Sequence, residues 1–259
     1  METIQNSKMV KEQYKDATKL KTRISIHEKY SANKQGFGNW IFEQYNIGEN
    51  NKILELGCGN GEMWKDHFHK LPPNTFLILS DFSEGMLAEA KNNLPGSEAL
   101  SFQQIDIQNI PFANNSFDIV IANMMLYHVP DLNKGLSEAR RVLKNGGIFY
   151  CATYGEHGII EYIQNLLSDY GVQKNINKVF TLQNGEKILK QHFSSIEKRI
   201  YEDHLEVTNT KDLVQYVLSL TSMVNLSEVG KEEIHTILDS KKIDGKIYVP
   251  KEYGIFIAK

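Results

Sequence analysis

The sequence predicts a doubly wound α/β fold, a parallel sheet with helices packed on both faces. Three observations lead to it. From residue 52 onward, short apolar runs alternate with helix-length stretches. The runs are apolar at consecutive positions, as strands covered on both faces must be. The first run ends in a glycine-rich turn that opens a helix, the strand–helix junction of such folds.

Residues 8–46 precede the alternation and read as a polar-aromatic helical cap, containing Tyr14, Arg23, His27, Tyr30, Trp40, Phe42 and Tyr45. The strand candidates are Lys52–Leu56, Phe76–Ser80, Leu100–Ile105, Phe117–Ala122 and Gly147–Thr153, with helices expected near 61–70, 83–93 and 131–144. The helix after Pro130 has Asp131 in its first turn and a stop at Asn145-Gly146-Gly147. Beyond Thr153 helices are expected near 157–170 and 182–192, a strand at 195–205, helix again over 210–240, and a closing strand at 253–258. Leu213, Val217, Leu220 and Val224 form one apolar stripe on the late helical stretch. That stretch separates the last two strands, so a helical lid is expected over about 206–245.

With no repeat or Pro/Ser-rich linker, one domain over 1–259 is expected. Its parts are a cap (1–46), a ligand-binding core (47–155) and a substrate-side half (156–259).

The 29 Lys and Arg against 32 Asp and Glu leave a net charge of −3 and a pI near 6.3. That balance argues against a protein built to neutralise phosphates, so no nucleic-acid partner is expected. Cys58 and Cys151 are too few for a disulfide framework and lack metal-ligand spacing. A reduced, cytoplasmic setting and no bound metal are expected. No apolar run is long enough for a membrane span, and the N-terminal segment is too polar for a secretory signal.

The most informative stretch is Glu55-Leu56-Gly57-Cys58-Gly59-Asn60-Gly61. Alternate glycines let backbone approach a ligand closely, and the following helix start offers unpaired N–H groups. A dinucleotide fingerprint would need glycine where Glu62 stands, and no Gly-Lys-Ser/Thr follows for a P-loop. The loop suits a ligand without phosphates. Asp81 ends the second run, 24 residues beyond Gly57, where a carboxylate can accept both hydroxyls of a ribose. Asp106 ends the third run and Asn123 the fourth, on the same rim. Each alone has a structural reading: Asp81 as a helix-start residue, Asp106 as a turn residue.

At these residues the sequence resembles the class I S-adenosylmethionine-dependent methyltransferases, and among them the small-molecule enzymes of the ubiquinone/menaquinone-biosynthesis type. The matching segments are ILELGCGNG (53–61), LSDFSEGML (79–87), QQIDIQNIPFANNSFDIVIANMMLYHV (103–129) and EARRVLKNGGIFYCATYG (138–155). The resemblance implies a seven-stranded sheet of order 3-2-1-4-5-7-6 with the seventh strand antiparallel. It implies S-adenosylmethionine as cofactor and S-adenosylhomocysteine as product. Glu55, Gly57, Cys58, Gly59 and Gly61 would wrap the methionine part, and Asp81 would take the ribose hydroxyls. Phe82 and Met86 would pack near adenine, Asp106 and Ile107 would flank its amino group, and Asn123 would border cofactor and substrate. The fourth strand lacks the Asp/Asn/Ser-Pro-Pro-Tyr/Phe signature of nucleic-acid amino-methylating enzymes.

Methyl transfer from a sulfonium rests on positioning and desolvation, with a general base only where the nucleophile must lose a proton. His128, just past the fourth strand, is the base candidate, with Tyr127 and Tyr154 as neighbours that orient or pack. Arg23, His27 and Tyr30 recur at helical spacing: Arg23 could grip the cofactor's carboxylate, Tyr30 could close over the methyl, and a solvated helix face is the alternative. Tyr14, His27, His128 and His157 are candidate substrate contacts. Tyr216, Leu220 and Met223 on the lid would favour an apolar or aromatic acceptor if they line the pocket. The expected activity is O- or N-methylation of a small-molecule acceptor by a monomer or homodimer. The alternatives are an RNA or protein methyltransferase, a non-catalytic S-adenosylmethionine-binding protein and, remotely, an NAD-dependent oxidoreductase.

Overall fold

Strand β1, Lys52–Leu56, shows how the sheet is built. Ile53 faces one side and Leu54 and Leu56 the other, and all three are buried. The same alternation recurs in β4 (Phe117–Ile121) and in β9 (Tyr253–Ala258). Both faces being apolar explains the continuous apolar runs. The computed structural model describes residues 18–220, 224–226 and 229–259.

Seven strands form one sheet in the order β3-β2-β1-β4-β5-β9-β6. Here β2 is Phe76–Asp81, β3 Leu100–Gln104, β5 Leu143–Tyr154 and β6 Ile196–Tyr201. The first five run parallel, and β9 pairs antiparallel with both β5 and β6. This is the sheet order that the family resemblance implied, with β9 as its seventh strand. One face is covered by α5 (Leu132–Val142) and α7 (Gly185–Leu189), through Leu136, Ala139, Val142 and Leu189. The other carries α2 (Phe37–Gln44) and α3 (Glu62–Lys65), through Ile41 and the buried Trp64. Asp131 caps α5, its carboxylate accepting the Lys134 N–H at 3.0 Å. Ser83 does the same for α4 (Glu84–Asn93), accepting the Met86 N–H.

A second, smaller core lies beneath the cap. It joins Ile26 of α1 (Thr18–Tyr30), Ile163 of α6 (Ile159–Leu166), β7 (His204–Val207), β8 (Ile247–Pro250), α8 (Thr210–Ser219) and α9 (Lys231–Asp239). The β7–β8 pair is a separate antiparallel ribbon. It corrects the expectation of one strand over 195–205. The chain breaks at Glu202-Asp203, where the Asp203 carboxylate accepts the backbone N–H groups of Asn33 and His204. Among the described residues the stretch 210–240 likewise carries two helices, and the cap over 18–46 carries two, broken at 31–36.

Candidate active site

The carboxyl ends of β1, β2, β4 and β5 open onto a cavity of about 470 Å³, roofed by α1, α8 and the loop at 175–177. That volume is in the range of small-molecule sites. At one end lies the glycine turn. Gly57 has φ +73, and a Cβ there would stand 2.8 Å from Met125 Cγ, so both conformation and contact demand glycine. Gly59 opens onto free space, and its N–H donates to Asp81 Oδ2 at 2.9 Å. The other Asp81 oxygen accepts the Ser83 N–H at 2.8 Å. Burial raises the Asp81 pKa, and these backbone donors oppose the rise. Asp81 is thus both the helix-start residue its position suggested and a carboxylate fixed beside the loop.

Phe82, Met86, Ile107 and Asp106 continue this rim. Asp106 also organises its own turn, accepting the Gln108 N–H at 2.8 Å. Asn123 borders the cavity with its amide already engaged: Nδ2 donates to Tyr45 Oη at 2.6 Å and Oδ1 accepts the Ala152 N–H at 3.1 Å. It ties β4, β5 and α2 together where they meet the cavity. The next residue, Met124, has φ +53, a strained conformation held by its N–H bond to the Ala152 carbonyl at 2.8 Å. Cys58 lines the cavity, and burial pushes its thiol well above the usual range, which keeps it uncharged.

The other end of the cavity is aromatic. Tyr127 lies between His128 and Tyr154, with ring centroids 4.5 and 4.7 Å away. Asn177 fastens this wall: its Nδ2 donates to the Tyr127 carbonyl at 2.9 Å and its carbonyl accepts the Tyr154 hydroxyl at 2.7 Å. Phe37, Tyr216 and Tyr253 complete the lining. His128 sits on the 3₁₀ turn Leu126–His128, where burial first and the Arg23 charge second hold its pKa down at about 4. It is a neutral imidazole at physiological pH.

Four expected contacts are corrected. Glu55 does not border the cavity; it is buried beneath the loop, accepting the Trp64 indole N–H. Gly61 faces α4, where a Cβ would meet Leu94 Cδ1 at 2.9 Å, so it serves packing. Tyr30 stands on the Arg23 side of α1 but about 10 Å farther along the axis. Its hydroxyl donates to Asp212 at 2.7 Å, fastening α1 to α8. His157 is exposed and pairs with Glu161 at 3.2 Å. Tyr14 and Met223 lie outside the described residues. Sequence reasoning missed Asn177, Glu252 and Tyr253: the first sits in a featureless polar loop, and only the pairing of Tyr154 with Tyr253 across β5–β9 brings the others to the rim.

A methyltransferase-domain family model matches residues 54–151. A demethylmenaquinone methyltransferase of Desulfitobacterium hafniense is 46% identical over 99 residues, 37% of this chain and 39% of that protein. The ubiquinone/menaquinone biosynthesis C-methyltransferase UbiE of Rickettsia prowazekii is 35% identical over 113 residues, 41% of this chain and 46% of that protein. The chain spans less than half the length of these curated relatives. Among solved structures, the [4+2]-cyclase SpnF matches with TM-score 0.60 and 14% identity, covering 98% of this chain and 96% of its own. A Haemonchus contortus phosphoethanolamine N-methyltransferase 2 with bound S-adenosyl-L-methionine matches with TM-score 0.58 and 18% identity, covering 94% and 57%. At such identities these two likenesses show the fold alone. The sheet order and the match of residues 54–151 agree: over this stretch the chain is similar to methyltransferase domains, and its sheet has the strand order of the class I S-adenosylmethionine-dependent methyltransferase fold.

Proposed function

We propose that this protein transfers the methyl group of S-adenosylmethionine to a small-molecule acceptor held in the aromatic half of the cavity. One observation carries the reading: a single cavity joins the glycine turn and its two carboxylates to a chamber of aromatic rings and neutral histidines. The cofactor fits the residues present. Gly59 leaves room for backbone contact with its methionine part, Gly57 makes the turn that aims the loop there, and Asp81 keeps lone pairs for the ribose hydroxyls. Asp106 and Ile107 flank the place for the adenine edge, Phe82 and Met86 supply apolar surface, and Arg23 offers its guanidinium to the amino-acid carboxylate. Bound there, the cofactor would supply an electrophilic sulfonium methyl for in-line displacement by the acceptor's nucleophile, with S-adenosylhomocysteine as the leaving group.

The chain's own residues then position and desolvate the acceptor. His128, being neutral, takes the proton that a hydroxyl or amine nucleophile loses. The aromatic lining favours a flat, largely apolar acceptor, with oxygen or nitrogen as the atom methylated. The name of the Rickettsia relative adds carbon as a further candidate. The test uses methyl-labelled cofactor and a small-molecule extract: label should appear in an organic product with wild type and fall at least tenfold with His128→Ala. Unchanged labelling in His128→Ala contradicts the base assignment, and label recovered only in protein or RNA contradicts the small-molecule acceptor.

A further inference from the structure

One polar group in the aromatic chamber has no task in the transfer step: the imidazole of His27. Helix α1 presents it one turn beyond Arg23, and both border the cavity. It sits edge-on to Tyr216 of α8, with centroids 6.1 Å apart at 81°, and to Tyr253 of β9, 5.8 Å away at 64°. These rings fix its plane from two sides. Neither ring nitrogen has a hydrogen-bond partner among the described residues. Nδ1 is sealed from solvent, which leaves Nε2 as the nitrogen the cavity reaches.

The charged and titratable groups around the ring are Arg23 on its own helix, Lys251 and Asp203 from the strand ends, and the hydroxyls of Tyr216 and Tyr253. Burial first, then the Lys251 ammonium, hold the His27 pKa down at about 3 against the opposing pull of Asp203. The ring is therefore neutral and carries one N–H. A sealed N–H without a partner costs more than a sealed lone pair, so the proton belongs on Nε2.

We propose that His27 is an acceptor-binding residue: its Nε2–H donates a hydrogen bond to an oxygen on a flat, mostly apolar acceptor and orients it for transfer. The proposal rests on the methyl-transfer reading of the cavity. A neutral donor recognises a carbonyl, ether or hydroxyl oxygen without requiring an anion. An analogue lacking that oxygen would bury the donor unpaired and bind more weakly.

The test is a fluorescence titration of the protein loaded with S-adenosylhomocysteine, using 1-naphthol, 1-methoxynaphthalene and naphthalene as probes. In wild type the two oxygen-bearing probes should be preferred. In His27→Phe the ratio of the naphthalene Kd to either oxygen-bearing probe's Kd should fall about fivefold, with S-adenosylhomocysteine affinity and Tm unchanged. His27→Gln, which keeps an N–H donor, should restore part of the preference, whereas a merely structural histidine would weaken all three probes alike. Should phenylalanine prevent folding, His27→Leu carries the same comparison. A ratio unchanged from wild type, or no probe bound, overturns the proposal. Failure of wild type to bind S-adenosylhomocysteine instead contradicts the cofactor reading on which it rests.

Discussion

Glu55 holds a carboxyl in a place that water does not reach. Burial raises its pKa from 4.5 to about 7, the Trp64 indole N–H opposes the rise, and nearby Asp81 adds to it. Because the folded state binds this proton more tightly than the unfolded chain, the Glu55 contribution to stability is fully present below about pH 4.5 and is lost as pH rises through the folded value. A shift of that size corresponds to about 3 kcal/mol. Glu55→Gln keeps an oxygen for Trp64 and removes the titration. Its stability relative to wild type should rise by about 3 kcal/mol between about pH 5 and 8, as measured by urea unfolding. No change in the difference would place the titrating group elsewhere. His128 titrates in the opposite sense: the acidic limb of kcat/KM should lie near 4, and a limb at 6.5 would show a solvated imidazole. Site residues on the strand ends were legible because glycine spacing and carboxylates at run ends constrain where backbone meets ligand. Tyr30 was misread because helical spacing gives a face and leaves open how far along the axis the cavity extends.

At the scale of elements, the cap is tied to the sheet by a buried ionic latch. Lys251, between β8 and β9, bonds the Asp203 carboxylate and the Ser31 hydroxyl, and both charged side chains are about 1% exposed or less. Burial alone would raise the Asp203 carboxyl; the Lys251 ammonium and the Asn33 N–H bring it below its ordinary value. Lys251 also lies over the Tyr201 and Tyr253 rings, at 5.4 and 5.3 Å. The latch fixes the end of α1, and so the height of Arg23 and His27 over the cavity. Lys251→Met leaves the carboxylate buried without its counter-charge and should cost about 3–5 kcal/mol of unfolding free energy in urea titrations. A cost under about 1 kcal/mol would show that water reaches the pair. Nothing in the sequence marked this arrangement. Asp203 and Lys251 are 48 residues apart, and only the turn that ends β6 and the β7–β8 ribbon bring them together. A strand continuous over 195–205 was expected because the corner, Glu202-Asp203-His204, holds neither glycine nor proline to mark a break.

For the whole molecule, the central sheet was readable because strands buried on both faces leave a signal that needs no partner information. The neighbour order came from the family resemblance, since periodicity says nothing about which strands pair. Of the second core only the stripe Leu213, Val217, Leu220 and Val224 was legible: its other apolar residues belong to α1, α6, α9 and the β7–β8 ribbon as well as α8, elements far apart in the chain. The result is a cavity between two separately packed cores, with backbone, carboxylates, Tyr127, His128, Tyr154 and Tyr253 from the sheet side and His27 and Tyr216 from the cap side.

The most direct test of the central claim is isothermal titration of wild type and Asp81→Ala with S-adenosylmethionine, S-adenosylhomocysteine and NAD. Wild type should bind the first two at micromolar concentration and not the third. Asp81→Ala should lose about tenfold to a hundredfold in affinity for both, as expected for hydrogen bonds to a charged carboxylate. Equal affinities in the two proteins, or binding of NAD alone, would contradict the assignment of this cavity.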